Sequence, residues 1–490
     1  MRSPFSSSGQ LLAASRRRGV SVLLLVALAG GCGPPQPVAS VWVTTGDQRK
    51  LLSHEPDVAL STKTPAALPT ISVDDTAMYQ EMVGFGAAIT DAAAMNINRL
   101  APDAREALLR ELFDPDSGIG LSFTRLTIGA SDFSPRQYSF DDMPPGQRDP
   151  TLARFSIEPN RADVLPTVQR ALAINPQLKI MASPWSAPGW MKTSGSLIKG
   201  TLWPNAYGLF AKYLLRYVQA YDSLGVPIYA LTVQNEPHFE PTNYPGMRLD
   251  PSDRARLIGK NLGPLFERQR IPTLILDWDH NWDEPASPLR VLRDSVARRY
   301  IAGVAWHCYN GDVTAQSQVH DSFPAKDAYF TECSGGDWAP SFGDNLVWNV
   351  RNLIIGSTRN WARGVLLWNL ALDELHGPYT GGCTNCRGVV TINSLSGTVT
   401  RNVEYYALAH ASRFVRPGAR RIDSSTGVDG LESVAFRNPD TSTVLIVVNT
   451  ATGERRFAVR WAGKHFEYGL PAGAVATFTL APLLARRPRG

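Results

Sequence analysis

Eight short apolar runs, spaced through about 290 residues and separated by helix-like stretches, constrain this chain more than any other feature. They are Met82–Phe85, Leu121–Arg125, Lys179–Ala182, Ala230–Gln234, Thr273–Leu276, Gly303–Trp306, Ala328–Thr331 and Val365–Trp368. Near-continuous apolar runs, rather than alternating ones, are buried on both faces, as in a parallel sheet covered by helices. The intervening segments Asp103–Leu112, Ala206–Leu224 and Asp253–Arg268 read as those helices, with Ser252 and Asp253 as caps for the last. Eight units favour a closed (β/α)8 TIM barrel. An open doubly wound sheet is weakened by the lack of a Gly-rich phosphate turn.

After about Val403 the pattern changes. Val444–Val448 is a strand, Phe457, Val459 and Trp461 alternate with Ala458 and Arg460, and Phe466–Tyr468 and Val475–Phe478 follow between Gly and Pro turns. This all-β appendix is short for a sandwich, and the alternating Ser40–Thr45 is expected to complete it from the other end of the chain. The reading divides the chain into a signal (1–32), a linker (33–39), N-terminal sandwich strands (40–78), the barrel (79–405), the C-terminal sandwich strands (406–482) and a basic tail (483–490). At 490 residues the chain exceeds one ordinary core, so two domains are expected.

The N-terminus reads as an export signal, with Arg16–Arg18 as the basic region and Gly19–Gly31 as the apolar region, too short to span a bilayer comfortably. Ala29-Gly30-Gly31-Cys32 resembles a bacterial lipoprotein processing box. Lipidation of Cys32 and plain signal cleavage both stay open, so the expected location is periplasmic, outer-membrane or secreted. The formal charge of +5 includes four arginines in the first 32 residues; without them it is +1. A near-neutral mature chain gives no electrostatic case for nucleic acid, and the terminal Arg486-Arg487-Pro488-Arg489 reads as a frayed tail. Of five cysteines, Cys383 and Cys386 read as a loop disulfide rather than half a metal site, since no further ligands are near. Cys308 and Cys333 read as buried thiols, with a cross-strand disulfide as the alternative.

The chemistry gathers at strand ends. Glu236, in Asn235-Glu236-Pro237, follows the fourth run, and Glu332, in Thr331-Glu332-Cys333, ends the seventh. Barrel strand ends converge on one face, and two carboxylates there suit hydrolysis of a glycosidic bond. As general acid, Glu236 needs a raised pKa; as nucleophile, Glu332 must stay ionised, with Arg125 as its expected partner. The pair Gly335-Gly336 is expected to permit a sharp exit turn and close sugar approach. Trp185, Trp190, His307, Tyr309, Trp368 and Asn369 lie at other strand ends, and Asp132 offers a carboxylate. Aromatic faces with Arg, His, Asp and Asn at the rim suit a sugar.

Together these segments resemble glycoside hydrolase family 30, the family of the glucosylceramidases. The resemblance rests on Gly84–Ala92, Arg125 through Ser134, Ala182–Trp185, Asn235–Pro237, His307–Tyr309, Phe330–Cys333 and Leu367–Leu370, in family order from about 80 to 410. It implies a retaining β-glycosidase with Glu236 as acid/base and Glu332 as nucleophile. It implies sugar contacts from Asp132, Trp185, Asn235, Tyr309, Trp368 and Asn369; Arg125 and His307 join the substrate-binding set. No metal or organic cofactor is required. The loops His238–Tyr244 and Asp373–Arg387 depart from the glucosylceramidase pattern, which leaves the leaving group open. Glucosylceramidase-type cleavage of a β-glucoside or glycolipid comes first, endo-β-1,6-glucanase second, and a non-catalytic carbohydrate-binding lipoprotein is the rival of another class.

Overall fold

The computed structural model describes residues 37–63 and 67–482. The signal segment 1–32 with Cys32, residues 33–36 of the linker and the tail 483–490 lie outside the described residues. Eight parallel strands close a barrel: β1 (Gly84–Ala88), β2 (Phe123–Ile128), β3 (Lys179–Pro184), β4 (Ala230–Thr232), β5 (Leu274–Asn281), β6 (Ile301–His307), β7 (Asp327–Glu332) and β8 (Ala362–Asn369). They pair in chain order, and β8 returns to β1 with Val365 opposite Phe85. Each of the eight apolar runs overlaps one of these strands.

Side chains inside a barrel come in layers, because every second residue of a strand points inward. One layer is apolar: Phe123, Met181, Ala230, Ala305 and Tyr329 are buried together with Leu276 and Leu366. Two residues further along the same strands stand Arg125, Ser183, Thr232, His307 and Thr331, all fully buried. The apolar layer closes the bottom of the barrel. The polar layer above it is the floor on which the site is built.

The second unit is a nine-stranded antiparallel-rich sheet. Its order is Ser53–Ala59, Val38–Thr44, Val475–Leu480, Thr443–Asn449, Leu431–Arg437, Arg420–Ser424, Thr70–Glu81, Arg455–Trp461 and Lys464–Leu470. Three of these strands precede the barrel and six follow it. The sheet bends back on itself until its edges meet, where Ser61 and His465 exchange backbone hydrogen bonds of 2.8 and 2.9 Å. Its inner face buries Val41, Leu445, Phe457, Val459, Trp461 and Phe478. The helix Val403–Ser412 joins the two units. His410 in it is fully buried, with Nδ1 2.9 Å from the Thr477 hydroxyl and Nε2 2.8 Å from that of Thr44. Burial alone holds this ring neutral, lowering its pKa to about 3.

Three local expectations need correction. Ser252 and Asp253 do not cap the helix that begins at Pro251. Asp250 is the cap residue, and the Asp253 carboxylate accepts a hydrogen bond from the Tyr207 hydroxyl at 2.7 Å. Cys308 and Cys333 are not thiols but a disulfide. Each follows the last residue of adjacent parallel strands, which sets their Cα atoms 5.4 Å apart, within bridging span. Gly335-Gly336 makes no left-handed turn. The pair forms a short strand against Cys386–Arg387. A Cβ at Gly335 would stand 1.8 Å from Glu404 Oε1, and one at Gly336 would stand 1.9 Å from the Trp338 ring. These glycines make room for neighbours, not for a bend. Cys383 and Cys386 form the second disulfide.

Candidate active site

Glu332 is the last residue of β7, and Glu236 lies just past β4, which ends at Thr232. Glu236 adopts a left-handed backbone (φ 46°), and its N–H donates to the carbonyl of Asp279 at 3.0 Å. That conformation is unfavourable for a residue with a Cβ and recurs where a side chain must be aimed. One oxygen each of Glu236 and Glu332 and a ring nitrogen of His307 all lie within 4.8 Å of one another. Such closeness matches the short separation of retaining glycosidases, about 5–5.5 Å, and not the about 6.5–9.5 Å of inverting ones.

Below the pair is a buried charge network. Arg125, from β2, donates through Nη1 to Glu332 Oε2, and through Nη2 to Asp279 Oδ2 at 2.8 Å and Asn235 Oδ1 at 2.7 Å. Tyr309 donates to Glu332 Oε1 at 2.9 Å. Asp279 is the hub, and sequence reasoning missed it. It accepts from the hydroxyls of Ser183 (2.5 Å), Thr232 (2.7 Å) and Thr331 (2.7 Å), and it lies 3.0 Å from His307 Nε2. The other face of His307 presents Nδ1 to Glu236 Oε1 at 3.2 Å. Asp279 reaches the interior because the pairing register of β5 slips between Trp278 and His280, where Trp278 and Asp279 have φ of 77° and 59°. A bulge re-aims side chains in this way. The polar run Asp277-Trp278-Asp279-His280 at a strand end was the available signal; its register was not.

Burial opposes charge on every member of the network, and the neighbours decide the outcome. Burial would lower His307, but Glu332, Asp279 and Glu236 raise it to about 9, so it is an imidazolium at neutral pH. For Asp279, burial is overcome by Arg125, His307 and Ser183, which hold it far below the usual carboxylate range. Burial raises Glu332, with the charges of Glu236 and Asp279 adding to it against His307 and Arg125. Glu236 is also buried, yet the His307 hydrogen bond and the charges of His280, His307 and Arg125 bring it below the usual value. This reverses the expected order of the two glutamates. The cause is the position of His307, whose Nδ1 hydrogen bond goes to Glu236 rather than Glu332. Burial and the charges of Glu332 and Glu236 push the Asp132 carboxyl well up. The three donors Glu236, His307 and Glu332 resemble a metal-binding set, but the protein already supplies its positive charge through Arg125 and a protonated His307.

A pocket of about 400 Å³ opens above this floor. Glu236, Glu332, Asp132, Tyr309 and Trp368 line it, as do Phe239, Tyr244 and the Cys383–Cys386 bridge from the two divergent loops. Arg125, Asn235, His307, Trp185 and Asn369 stand behind the wall. Trp185 stacks on Trp368 with centroids 5.0 Å apart, and the Arg125 guanidinium lies 4.8 Å from its ring. Trp185 therefore supports the platform. Asn369 accepts from the Thr90 hydroxyl at 2.8 Å, while its buried Nδ2 has no partner among the described residues. His280, Asn281, Ser334 and Trp338 also reach the pocket, and the sequence reading did not place them there.

Comparison with known proteins agrees with this arrangement. Residues 82–415 match the glycosyl hydrolase family 30 TIM-barrel domain, and 418–478 match the family 30 beta sandwich domain. The chain belongs to glycoside hydrolase family 30. The endo-1,6-beta-D-glucanase neg1 of Aspergillus fumigatus is 37% identical over 84% of this chain and 87% of its own. The lysosomal acid glucosylceramidase of Mus musculus is 29% identical over 76% of each. A solved endo-beta1,6-glucanase superposes with a TM-score of 0.85 at 31% identity, covering 91% of this chain and 100% of that one. This family 30 member is thus an O-glycoside hydrolase, and the rival reading as a binding protein without chemistry falls away.

Proposed function

We propose that this family 30 enzyme is an endo-β-1,6-glucanase working by double displacement. The observation that carries the mechanism is the meeting of Glu236 and Glu332 across one pocket, within reach of one histidine nitrogen. Glu332 attacks the anomeric carbon as the bond to the leaving oxygen breaks, and Glu236 gives that oxygen a proton. Water then attacks the same carbon, Glu236 takes its proton, and the bond to Glu332 breaks. The acid's proton comes from His307 Nδ1, 3.2 Å from Glu236 Oε1. A bound sugar excludes water from Glu236 and so moves that proton towards it. Once Glu332 is esterified its negative charge is gone, the pKa of Glu236 falls, and the base of the second step is in place.

The linkage rests on the relatives, among which the two endo-1,6-glucanases are more similar than the murine glucosylceramidase. Glycolipid cleavage is the second reading, now behind β-1,6-glucan. Residues 1–32 serve as the export signal, with Cys32 either lipidated or removed from the mature chain; replacing Cys32 by Ala should release a lipid-anchored form from the membrane fraction. A screen of gentio-oligosaccharides, glucosylceramide and aryl β-glycosides tests the linkage. NMR of the first product should show the β-anomer. Glu332→Gln should abolish turnover, and azide should partly restore Glu236→Ala. Initial release of the α-anomer, or full activity of pure Glu332→Gln, would reject the assignment of roles.

A further inference from the structure

Beside the catalytic pocket lies a second cavity of about 630 Å³ that the proposed chemistry does not use. The two share Tyr309, Ser334 and Trp338 in their walls. The far wall of the second is the helix Phe342–Trp348 and the residue after it, contributing Asp344, Asn345, Trp348 and Asn349. Trp338 is 55% exposed and Trp348 43%. Two indoles open to water around one cavity are a marked apolar surface, of the kind that ligands cover. Trp338 lies directly against Gly336, where no Cβ would fit, so the backbone fixes its ring.

The polar half of the cavity narrows the ligand. Asn345 donates its amide to the Ser341 carbonyl at 2.9 Å, and Asn349 donates to the Asn345 carbonyl at 2.8 Å. Among the described residues nothing donates to their side-chain oxygens, and the Asp344 carboxylate has no partner. Indole faces edged by free acceptors suit a sugar ring, with its apolar C–H face and its hydroxyl donors. An alkyl chain would leave those acceptors stranded.

Direction follows from burial. Asp132 and Trp368 are nearly inaccessible and close the inner end of the catalytic pocket, where the sugar being cut belongs. Tyr309 and Trp338 are the exposed rim through which the leaving group emerges, and the second cavity continues past them. We propose that this cavity binds the sugar units on the leaving-group side of the scissile bond, with Trp338 and Trp348 as stacking platforms. The proposal rests on the glucanase reading, since an extended leaving group must be a saccharide chain.

The test compares wild type with Trp348→Ala and Asp344→Ala on β-1,6-linked glucose oligomers of two to six units and on an aryl β-glucoside. Trp348 does not line the catalytic pocket, so the aryl substrate and the unfolding midpoint report an intact enzyme. Expected is a kcat/KM that rises with oligomer length and falls about tenfold for the longer oligomers in Trp348→Ala. Asp344→Ala should reduce it less, and aryl glucoside hydrolysis should stay within about twofold in both. Length-independent rates, or equal losses on long oligomers and aryl glucoside, would overturn the proposal. A preference for alkyl over sugar leaving groups that Trp348→Ala removes would overturn it in favour of a lipid tail. Binding of the same oligomers to Glu332→Gln, read by tryptophan fluorescence, separates the two claims. Oligomers bound with length-dependent affinity but never cut by wild type would refute the β-1,6 linkage and support the cavity. Oligomers cut by wild type and bound equally at all lengths would refute the cavity alone.

Discussion

Replacing Asp279 with asparagine asks whether one buried carboxylate organises the pocket. Asp279 Oδ2 faces Arg125, Ser183 and Thr232, and Oδ1 faces Thr331 and His307. All of these are donors. Asparagine keeps the shape but has one accepting atom, so its amide must point at one set. The hydroxyls of the other residues can rotate; the Arg125 guanidinium cannot yield, but His307 can lose its Nε2 proton. The variant should therefore turn its amide towards His307 and neutralise it. The rise of His307 from 6.5 to about 9 corresponds to roughly 3 kcal/mol of net attraction to its three carboxylates. Because the folded value lies above the unfolded one, that stability is present in full below pH 6.5 and is lost as pH climbs to about 9. Asp279→Asn should lose roughly 3–5 kcal/mol at pH 6, the cost of breaking a buried charge set, and much less at pH 9. Urea unfolding at the two pH values measures this. The basic limb of kcat/KM on an aryl β-glucoside should also move down by about one pH unit or more, since His307 supplies the acid's proton. A variant with the wild-type urea midpoint at pH 6 and an unmoved basic limb would refute the hub.

Removing the Cys308–Cys333 disulfide with a double alanine substitution frees a loop closed over a separation of 25 residues, and should cost about 3 kcal/mol in urea unfolding. Gly335→Ala should push Glu404 off Arg387, which now holds it at 2.8 Å, and lower stability by about 3 kcal/mol, whereas Ser334→Ala should not. His410→Leu should cost about 1–2 kcal/mol at pH 7 by taking the ring nitrogens away from the Thr44 and Thr477 hydroxyls, which keep only the Leu52 N–H and the residue-410 carbonyl as partners among the described residues. His410 has a folded pKa below its unfolded one, so its contribution is present above pH 6.5 and is lost as pH falls towards 3. The variant's stability should fall less steeply with acid than the wild type's.

What was legible in the sequence was what composition along a strand encodes. Uninterrupted apolar runs located all eight barrel strands, and polar residues at their ends located Glu236, Glu332, Arg125, Asp132, Tyr309 and Trp368. Register was not legible. Asp279 enters the barrel through a one-residue slip that no periodicity announces, and without it the role of His307 as an imidazolium is invisible. Depth was not legible either. Trp185 and Asn369 sit at strand ends as expected, but the Trp185 ring stacks on Trp368, which lines the pocket, and does not line it itself. The strand Thr70–Glu81 lies largely in the stretch expected to give sandwich strands, but its bounds were not legible, because in Thr-Ile-Ser-Val-Asp-Asp-Thr-Ala-Met-Tyr-Gln-Glu only two of twelve residues are buried. The glycine pair was misread because a glycine chosen for its neighbour's bulk looks the same in sequence as one chosen for its backbone.

The charges of the floor follow a single logic. Arg125 and His307 are cationic, Asp279, Glu236 and Glu332 are the carboxylates around them, and Asp132 is pushed towards its uncharged form. With both glutamates ionised the cluster carries one net negative charge, most of it buried: Arg125, Asp279 and His307 are fully buried and Glu332 nearly so. That charge is unfavourable at such burial, which is why Glu332 is raised. The proposed reaction passes through an oxocarbenium-like state with a developing positive charge at the anomeric carbon, held between these same two carboxylates. The unfavourable charge of the resting site then becomes the stabilisation of the transition state, supplied by groups that need not move. Arg125 and Asp279 keep this balance from going further. Without Arg125 the cluster would carry two excess charges and Glu332 would take up a proton. Without Asp279 the ring would lose its Nε2 proton and become neutral, and a neutral imidazole is too weak an acid to pass its Nδ1 proton to Glu236.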